Sequence, residues 1–152
     1  DQPSFKTQEK MLVPPAGTLP RGGQWYPYPG QPEMAGARLK NPLPRTLEVL
    51  QAGQVSFETY CVVCHGVKGD GNGLIVPKFP KPPSLFSEKV RHWPDGRIFH
   101  AMTEGQNLMP SYAVQISEKD RWAIVHYVRA LQKSAVPSKK DLEAVERLRK
   151  KL

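Results

Sequence analysis

A chain of 152 residues with a net charge of +8 fits one domain with extensions, and it disfavours a basic partner. No apolar run is long enough to span a bilayer, and Asp1 opens a polar stretch where a signal peptide would be apolar. Sixteen prolines and only two cysteines are the most uneven features of the composition.

Residues 1–45 carry nine of the sixteen prolines, among them Pro14, Pro15, Pro27, Pro29, Pro32, Pro42 and Pro44. Proline has no amide proton for a helix or a sheet ladder, so this segment is predicted to be an extended arm. Trp25, Tyr26 and Tyr28 are costly to leave in water and are expected to anchor the arm on the domain surface. A flexible tether to a membrane or a larger complex is the alternative.

Residues 46–133 have the patterning of a folded core. Thr46 can cap a helix, and Leu50, Gly53, Gln54 and Phe57 follow at helical spacing up to Tyr60. Glycine costs a helix about 1 kcal/mol relative to alanine, so Gly53 predicts a second helix crossing at close range. Gly66 to Pro83 reads as a loop, marked by Gly69, Gly71, Gly73, Pro77, Pro80 and Pro82. A short helix is predicted from Pro94, with Ile98 and Met102 on one side and a stop at Gly105. The last core helix starts at Ser117, with Asp120 in its first turn and Ile124, Val125, Val128 and Leu131 on its apolar face. No β-strand is expected, so the fold class is all-α.

Residues 134–152 are predicted to form an added helix after Pro137, capped by Ser138. Leu142, Val145, Leu148 and Leu152 recur every three or four residues and are expected to pack on the core. Arg149, Lys150 and Lys151 suit the helix C-terminus electrostatically; a membrane-surface or nucleic-acid role for them is the minor reading. Basic residues exceed acidic ones by three in the arm, two in residues 46–133 and three in the tail, so the core is nearly balanced.

The chemistry concentrates at Cys61-Val62-Val63-Cys64-His65, which holds both cysteines. A Cys-x-x-Cys pair can be a redox disulfide, half of a zinc site or a haem attachment point. The redox reading expects a thioredoxin-like βαβ pattern, and the flanking sequence does not alternate in that way. Zinc needs four donors, and a histidine directly after the second cysteine strains a tetrahedron that also admits both thiolates. Haem attachment uses all three residues as they stand: two thiols add across two vinyl groups, and the imidazole lies under the iron. This reading is preferred. It consumes both cysteines and leaves no disulfide. Covalent haem attachment in bacteria happens outside the cytoplasmic membrane, so a periplasmic or outer-face location and a removed leader are expected.

A candidate for the second axial position lies in EGQNLMPSY, where Met109 stands between Gly105 and Pro110. Pro110 biases Met109 towards extended backbone, which can hold a thioether in a fixed direction. Methionine is a soft, neutral ligand, and histidine–methionine ligation raises haem potential in electron carriers. A methionine is more commonly a core residue, and Met102, His92, His100 and His126 are rivals. Met102 is expected to pack against the ring and His126 to be a satisfied surface or core group. Leu85, Ile98 and Met102 are predicted to be apolar walls that disfavour the extra charge of ferric iron.

In this order of features the chain resembles class I c-type cytochromes over about residues 46–133. The resemblance rests on Gly53 and Phe57, the Cys61–His65 motif, Pro83-Ser84-Leu85, Met109-Pro110 and the terminal YVRAL. It implies that the first and last helices cross near Gly53. It also implies that a proline carbonyl fixes the haem histidine through its other ring nitrogen. That role falls to Pro83, with Pro77 and Pro82 as alternatives. Trp93 or Arg97 is implied as a haem-propionate contact. GTLPRG, NPLP, CHGVKGDGNG and DRWAIVHYVRALQ are similar to the monohaem cytochrome subunit of bacterial alternative complex III, from about Gly17 to Gln132. That complex oxidises quinol and passes electrons to a cytochrome or oxidase, and its subunit is often a lipoprotein. The likeness ends at the helix after Pro137.

The expected function is therefore one-electron transfer by a single haem c, with no bond-making on a substrate. The expected donor is a quinol-oxidising complex and the expected acceptor a terminal oxidase; peripheral or lipid-anchored membrane association is allowed and no nucleic acid is expected. The alternative is a haem sensor or peroxidase-like protein with an open sixth position. A small apolar patch at the haem edge, rimmed by Lys68, Lys78 and Lys81, is the predicted docking face. GVKGDGNG lacks the ending of a phosphate loop, and with Asp70 as the first position of a calcium loop the twelfth is Lys81, where glutamate is needed.

Overall fold

The computed structural model describes residues 25–150, which are helical with no named strand. The helices are α1 (Pro32–Arg38), α2 (Leu47–Tyr60), α3 (Val62–His65), α4 (Glu88–Arg91), α5 (Asp95–Glu104), α6 (Glu118–Ala135) and α7 (Lys139–Arg149). This is the all-α architecture expected of a class I cytochrome c.

Local chemistry fixes the helix ends. Thr46 Oγ1 accepts from the Val49 amide at 3.3 Å and opens α2. Ser117 Oγ accepts from the Asp120 amide at 3.1 Å and opens α6. These caps satisfy amides that the first turn leaves without partners. The two helices then cross at Gly53, where a Cβ would stand 2.2 Å from the Ala123 carbonyl oxygen. Phe57, Ile124 and Val125 are buried at this crossing. Phe99 of α5 stacks on Trp122 of α6 at 4.0 Å and closes the core from a third side.

The arm departs from an extended reading over its described part. Pro32 sits in the first turn of α1, where its missing amide proton costs nothing, so proline here starts a helix. Ala35 and Gly36 are buried, and α1 seats closely on α5: a Cβ at Gly96 would lie 2.3 Å from the Ala35 carbonyl oxygen. Among the three rings, Tyr26 makes the anchor, with its hydroxyl 2.6 Å from His100 Nδ1. Tyr28 leans edge-on against Tyr26. Trp25 remains 64% exposed and anchors nothing. Pro14, Pro15 and the rest of residues 1–24 lie outside the described residues.

The added helix forms after Pro137 as expected, but its packing differs from expectation. Ser138 and Asp141 form a capping box at its start, and Lys133 pairs with Asp141 at 3.0 Å. Its stripe does not pack on the core: Leu142, Val145 and Leu148 are 57%, 49% and 63% exposed. The end of α6 from Lys133 onwards is itself exposed. Leu152 lies outside the described residues.

Candidate functional site

A cavity of about 430 Å³ opens between α2, α3, α5, α6 and the two long loops. It falls within the range of about 300–1,000 Å³ usual for ligand sites. Cys61, Cys64 and His65 line it. The Cys61 carbonyl accepts from the Cys64 amide at 3.2 Å and from the His65 amide at 2.8 Å, so one helical turn spans the motif. Residues at i, i+3 and i+4 share a face, which is why this spacing brings two thiols and an imidazole to one wall. The loop after His65 is pinned behind that wall. A Cβ at Gly73 would meet the Val63 carbonyl oxygen at 2.3 Å, so only glycine fits there. Asp70 accepts from the Asn72 amide at 3.0 Å, and Lys81 donates to the Asn72 side chain at 2.7 Å, so DGNG is a self-satisfied turn.

Burial sets the protonation states. The Cys61 thiol is pushed up to about 12 by burial, with Cys64 beside it acting the same way. Burial lowers the pKa of His65, which favours the neutral imidazole, the form that can ligate a metal. His65 Nδ1 is buried with no hydrogen-bond partner. The expected bond from this nitrogen to the Pro83 carbonyl is therefore not formed, although Pro83 does line the cavity. Pro77 does not line it, and Pro82 does.

Met109 reaches the same cavity on a tight hairpin. Its amide donates to the Gln106 carbonyl, and the Gln106 amide donates to the Met109 carbonyl, both at 2.9 Å. Asn107 takes the left-handed conformation (φ 53°) to close the turn. Gly105, which ends α5 just before the turn, also has positive φ (82°), and a Cβ there would stand 2.6 Å from the Met109 carbonyl oxygen. The Tyr112 amide donates to the Met102 carbonyl at 2.9 Å and fastens the far side of the hairpin to α5.

The other expected residues divide clearly. Leu85, Trp93, Ile98 and Met102 line the cavity. Arg97 does not; its guanidinium lies over the Trp93 ring, 4.3 Å from the centroid, with Nε 3.6 Å from Glu33 of α1 and Nη1 buried without a hydrogen-bond partner. Arg97 stands one helical turn before Ala101, which does line the cavity, so spacing does not set it apart; its guanidinium is taken up by Trp93 and by Glu33 of α1. His100 bonds Tyr26, His126 Nε2 donates to the Leu43 carbonyl at 3.0 Å, and His92 Nδ1 donates to the Glu88 carbonyl at 2.7 Å. None of the three lines the cavity. Sequence reasoning missed Gln106, Phe79 and Tyr112 as lining residues. The position of Tyr112, three residues beyond Met109, was the one available signal.

The residues present fit a covalently attached haem. Two thiols, a half-buried imidazole whose neutral form is favoured and a thioether meet at an otherwise largely apolar cavity. Among the described residues no three His, Cys, Asp or Glu groups converge as a zinc cage would require. Fold and cavity together are those of a class I c-type cytochrome, a class built for electron transfer.

The chain belongs to the family described as cytochrome c oxidase, cbb3-type, subunit III, which matches residues 48–128. Among solved structures it is similar to a chain of the reducing HAO-like protein complex of Kuenenia stuttgartiensis. The two share 29% identity with a TM-score of 0.52, over 61% of this chain and 49% of that one. The match thus spans about half the length of that relative. No curated protein matches the sequence. Among the described residues, no helix is long and apolar enough to cross a membrane.

Proposed function

We propose that this chain is a monohaem electron carrier of a respiratory chain. In this reading it takes electrons from a quinol-oxidising complex of the alternative complex III type and passes them towards a terminal oxidase, in the periplasm or on the outer face of the cytoplasmic membrane. The observation that carries the electron-transfer reading is the meeting of His65 and Met109 on one apolar cavity beside Cys61 and Cys64. The sequence likenesses at GTLPRG, NPLP and DRWAIVHYVRALQ support the choice of complex. That a structural relative belongs to a redox protein complex supports a subunit over a freely diffusing shuttle. The reading divides the chain into an arm (1–45), a cytochrome domain (46–133) and a C-terminal helix (134–152).

Haem c supplies the one-electron couple. Cys61 and Cys64 hold it through thioethers, and His65 presents a lone pair because burial disfavours its protonated form. The Gln106–Met109 hairpin holds the Met109 thioether at the cavity wall, where it would hold a bound haem opposite His65 with little rearrangement. Leu85, Ile98 and Met102 exclude water and disfavour added positive charge, which raises the potential. Trp93 faces the cavity as a donor for a propionate, and Arg97 adds positive charge from behind its ring. Lys81 stands at the cavity wall, with exposed Lys68 and Lys78 on the same loop, as the rim of the docking face.

The absorption spectrum of protein matured with haem attached tests this reading. A reduced c-type spectrum and a weak far-red sulfur-to-iron band in the ferric form are expected. Met109→Ala removes the band, lowers the potential and opens the site to carbon monoxide. A high-spin ferric spectrum in the unsubstituted protein overturns the ligand assignment and favours an open sixth position. Pull-down from native membranes, with and without high salt, tests the choice of partner complex.

A further inference from the structure

A second cavity, of about 510 Å³, lies between the start of α2 and the end of α6 and shares no lining residue with the first. Its wall is cationic, with Arg45, Arg91, Arg129 and Lys133, and its floor is apolar, with Leu47, Leu50 and Val136. No carboxylate lines it. Arg129 is committed to Asp95 and Lys133 to Asp141. Among the described residues, Arg45 and Arg91 have no carboxylate partner. Val136, which lines the groove, is followed three residues on in the chain by α7, whose Leu142, Val145 and Leu148 stripe is exposed. Lys139, Lys140, Arg147, Arg149 and Lys150 accompany the stripe, against Asp141, Glu143 and Glu146.

From this continuity we propose that α7 and the adjoining groove form a docking surface for an anionic lipid bilayer. The chemistry selects that occupant. Amphipathic helices that pair a narrow aliphatic stripe with a basic polar face lie in the headgroup layer, with long Lys and Arg side chains reaching up to the phosphates. The groove adds cations beside the same layer. An acidic protein would satisfy the charge and the arginines of the groove, but the exposed stripe of α7 gives it no aromatic anchor. The stripe offers three aliphatic residues and no ring. The amino-terminal segment does not complement the charge either, since Lys6, Lys10 and Arg21 outnumber Asp1 and Glu9. Docking here uses none of the residues that line the haem cavity. The inference does not depend on which complex that partner is.

The test is co-sedimentation of the full haem-loaded chain with vesicles of phosphatidylglycerol mixed into phosphatidylcholine, against phosphatidylcholine alone. Partition to the anionic vesicles is expected to exceed partition to the neutral ones by about tenfold or more at low salt, and to fall steeply at about 1 M salt, where the screening length is about 3 Å. Replacing Leu142, Val145 and Leu148 together by serine is expected to reduce binding about tenfold or more, with the reduced haem spectrum unchanged. Lys139→Glu with Lys140→Glu separates docking from folding. Acidic residues suit the first turn of a helix, so α7 is preserved in circular dichroism while binding to anionic vesicles is lost. Equal partition to both vesicle types, or unchanged binding in both variants, overturns the proposal. So does stripe-dependent capture of an acidic membrane protein in the absence of any vesicle binding.

Discussion

Gly53 of α2 and Ala123 of α6 are in direct backbone contact: a Cβ on Gly53 would lie 2.2 Å from the Ala123 carbonyl oxygen and 2.6 Å from its carbon. Neither atom can rotate away, because both belong to a helix backbone. Gly53→Ala is therefore predicted to force the helices apart. Alanine returns about 1 kcal/mol of helix propensity, but overpacking against backbone costs more. A net loss of about 2 kcal/mol or more is expected in denaturant unfolding. A neutral or stabilising result would show that α2 and α6 do not cross at this distance.

The Met109 hairpin makes a different use of glycine. Gly105 has φ 82° and sits against the Met109 carbonyl oxygen. Gly105→Ala adds positive-φ backbone strain of roughly 1–3 kcal/mol and a clash at the same point. The thioether is chemically intact in this variant, so any spectral change reports its placement. The expected outcome is a partial loss of the far-red sulfur-to-iron band and a lowered potential, in the direction of Met109→Ala. An unchanged band and potential would separate the hairpin from the ligand geometry.

What was legible in the sequence was local. Thr46 and Ser117 announce helix starts because a side-chain oxygen meets an amide two or three residues on. The Cys61–Cys64–His65 spacing is legible because one turn of helix brings those positions to one face. Gly53 revealed a tertiary contact only because glycine is costly in a helix interior. Pro32 misled because proline starts helices as readily as it breaks them, and its neighbours decide which. The face taken by Arg97 depends on where α1 docks, and nothing in residues 94–105 encodes that. The α7 stripe had the period of a buried helix, but periodicity does not say whether a partner lies opposite. Gln106 and Phe79 sit in loops, where no period marks the side that faces inward.

Arg129 is the fastening between α6, α5 and the segment before α5. Its Nε donates to Asp95 at 2.7 Å, its Nη1 to Gln132 at 2.8 Å and to the Arg91 carbonyl at 3.3 Å, and its Nη2 to the Trp93 carbonyl. Arg129→Ala leaves these acceptors and a part-buried carboxylate without their donor, for an expected loss of about 2–3 kcal/mol. Arg129→Lys should recover little, because one ammonium cannot span the fork of acceptors that a planar guanidinium reaches. Full recovery by lysine in thermal unfolding would reduce the role to charge alone. Trp93 faces the cavity and Arg129 holds its carbonyl, so both variants are also expected to change the haem spectrum.

The Tyr26–His100 contact carries a pH dependence of stability whose sign follows from two opposite shifts. His100 is held below its ordinary value of 6.5, first by burial and then by the nearby Arg97 guanidinium; Glu104 and Glu33 act the other way. Folding thus favours the neutral ring. Its contribution is fully present above pH 6.5 and is lost as pH falls from there through the folded-state value. Tyr26 is pushed up to about 12, chiefly by burial and next by Glu104, so its contribution is present below the ordinary value of 10.0 and is lost as pH rises from there towards 12. Stability should be level between about pH 7 and 9 and fall on both sides. Tyr112 and Tyr127 are also raised by burial, so Tyr26→Phe should shrink the alkaline fall without abolishing it. The lost hydrogen bond should lower the plateau by about 1 kcal/mol. Denaturant midpoints across this range check both parts. An alkaline fall of the same size in Tyr26→Phe would mean that the arm does not hold Tyr26 against α5 in solution.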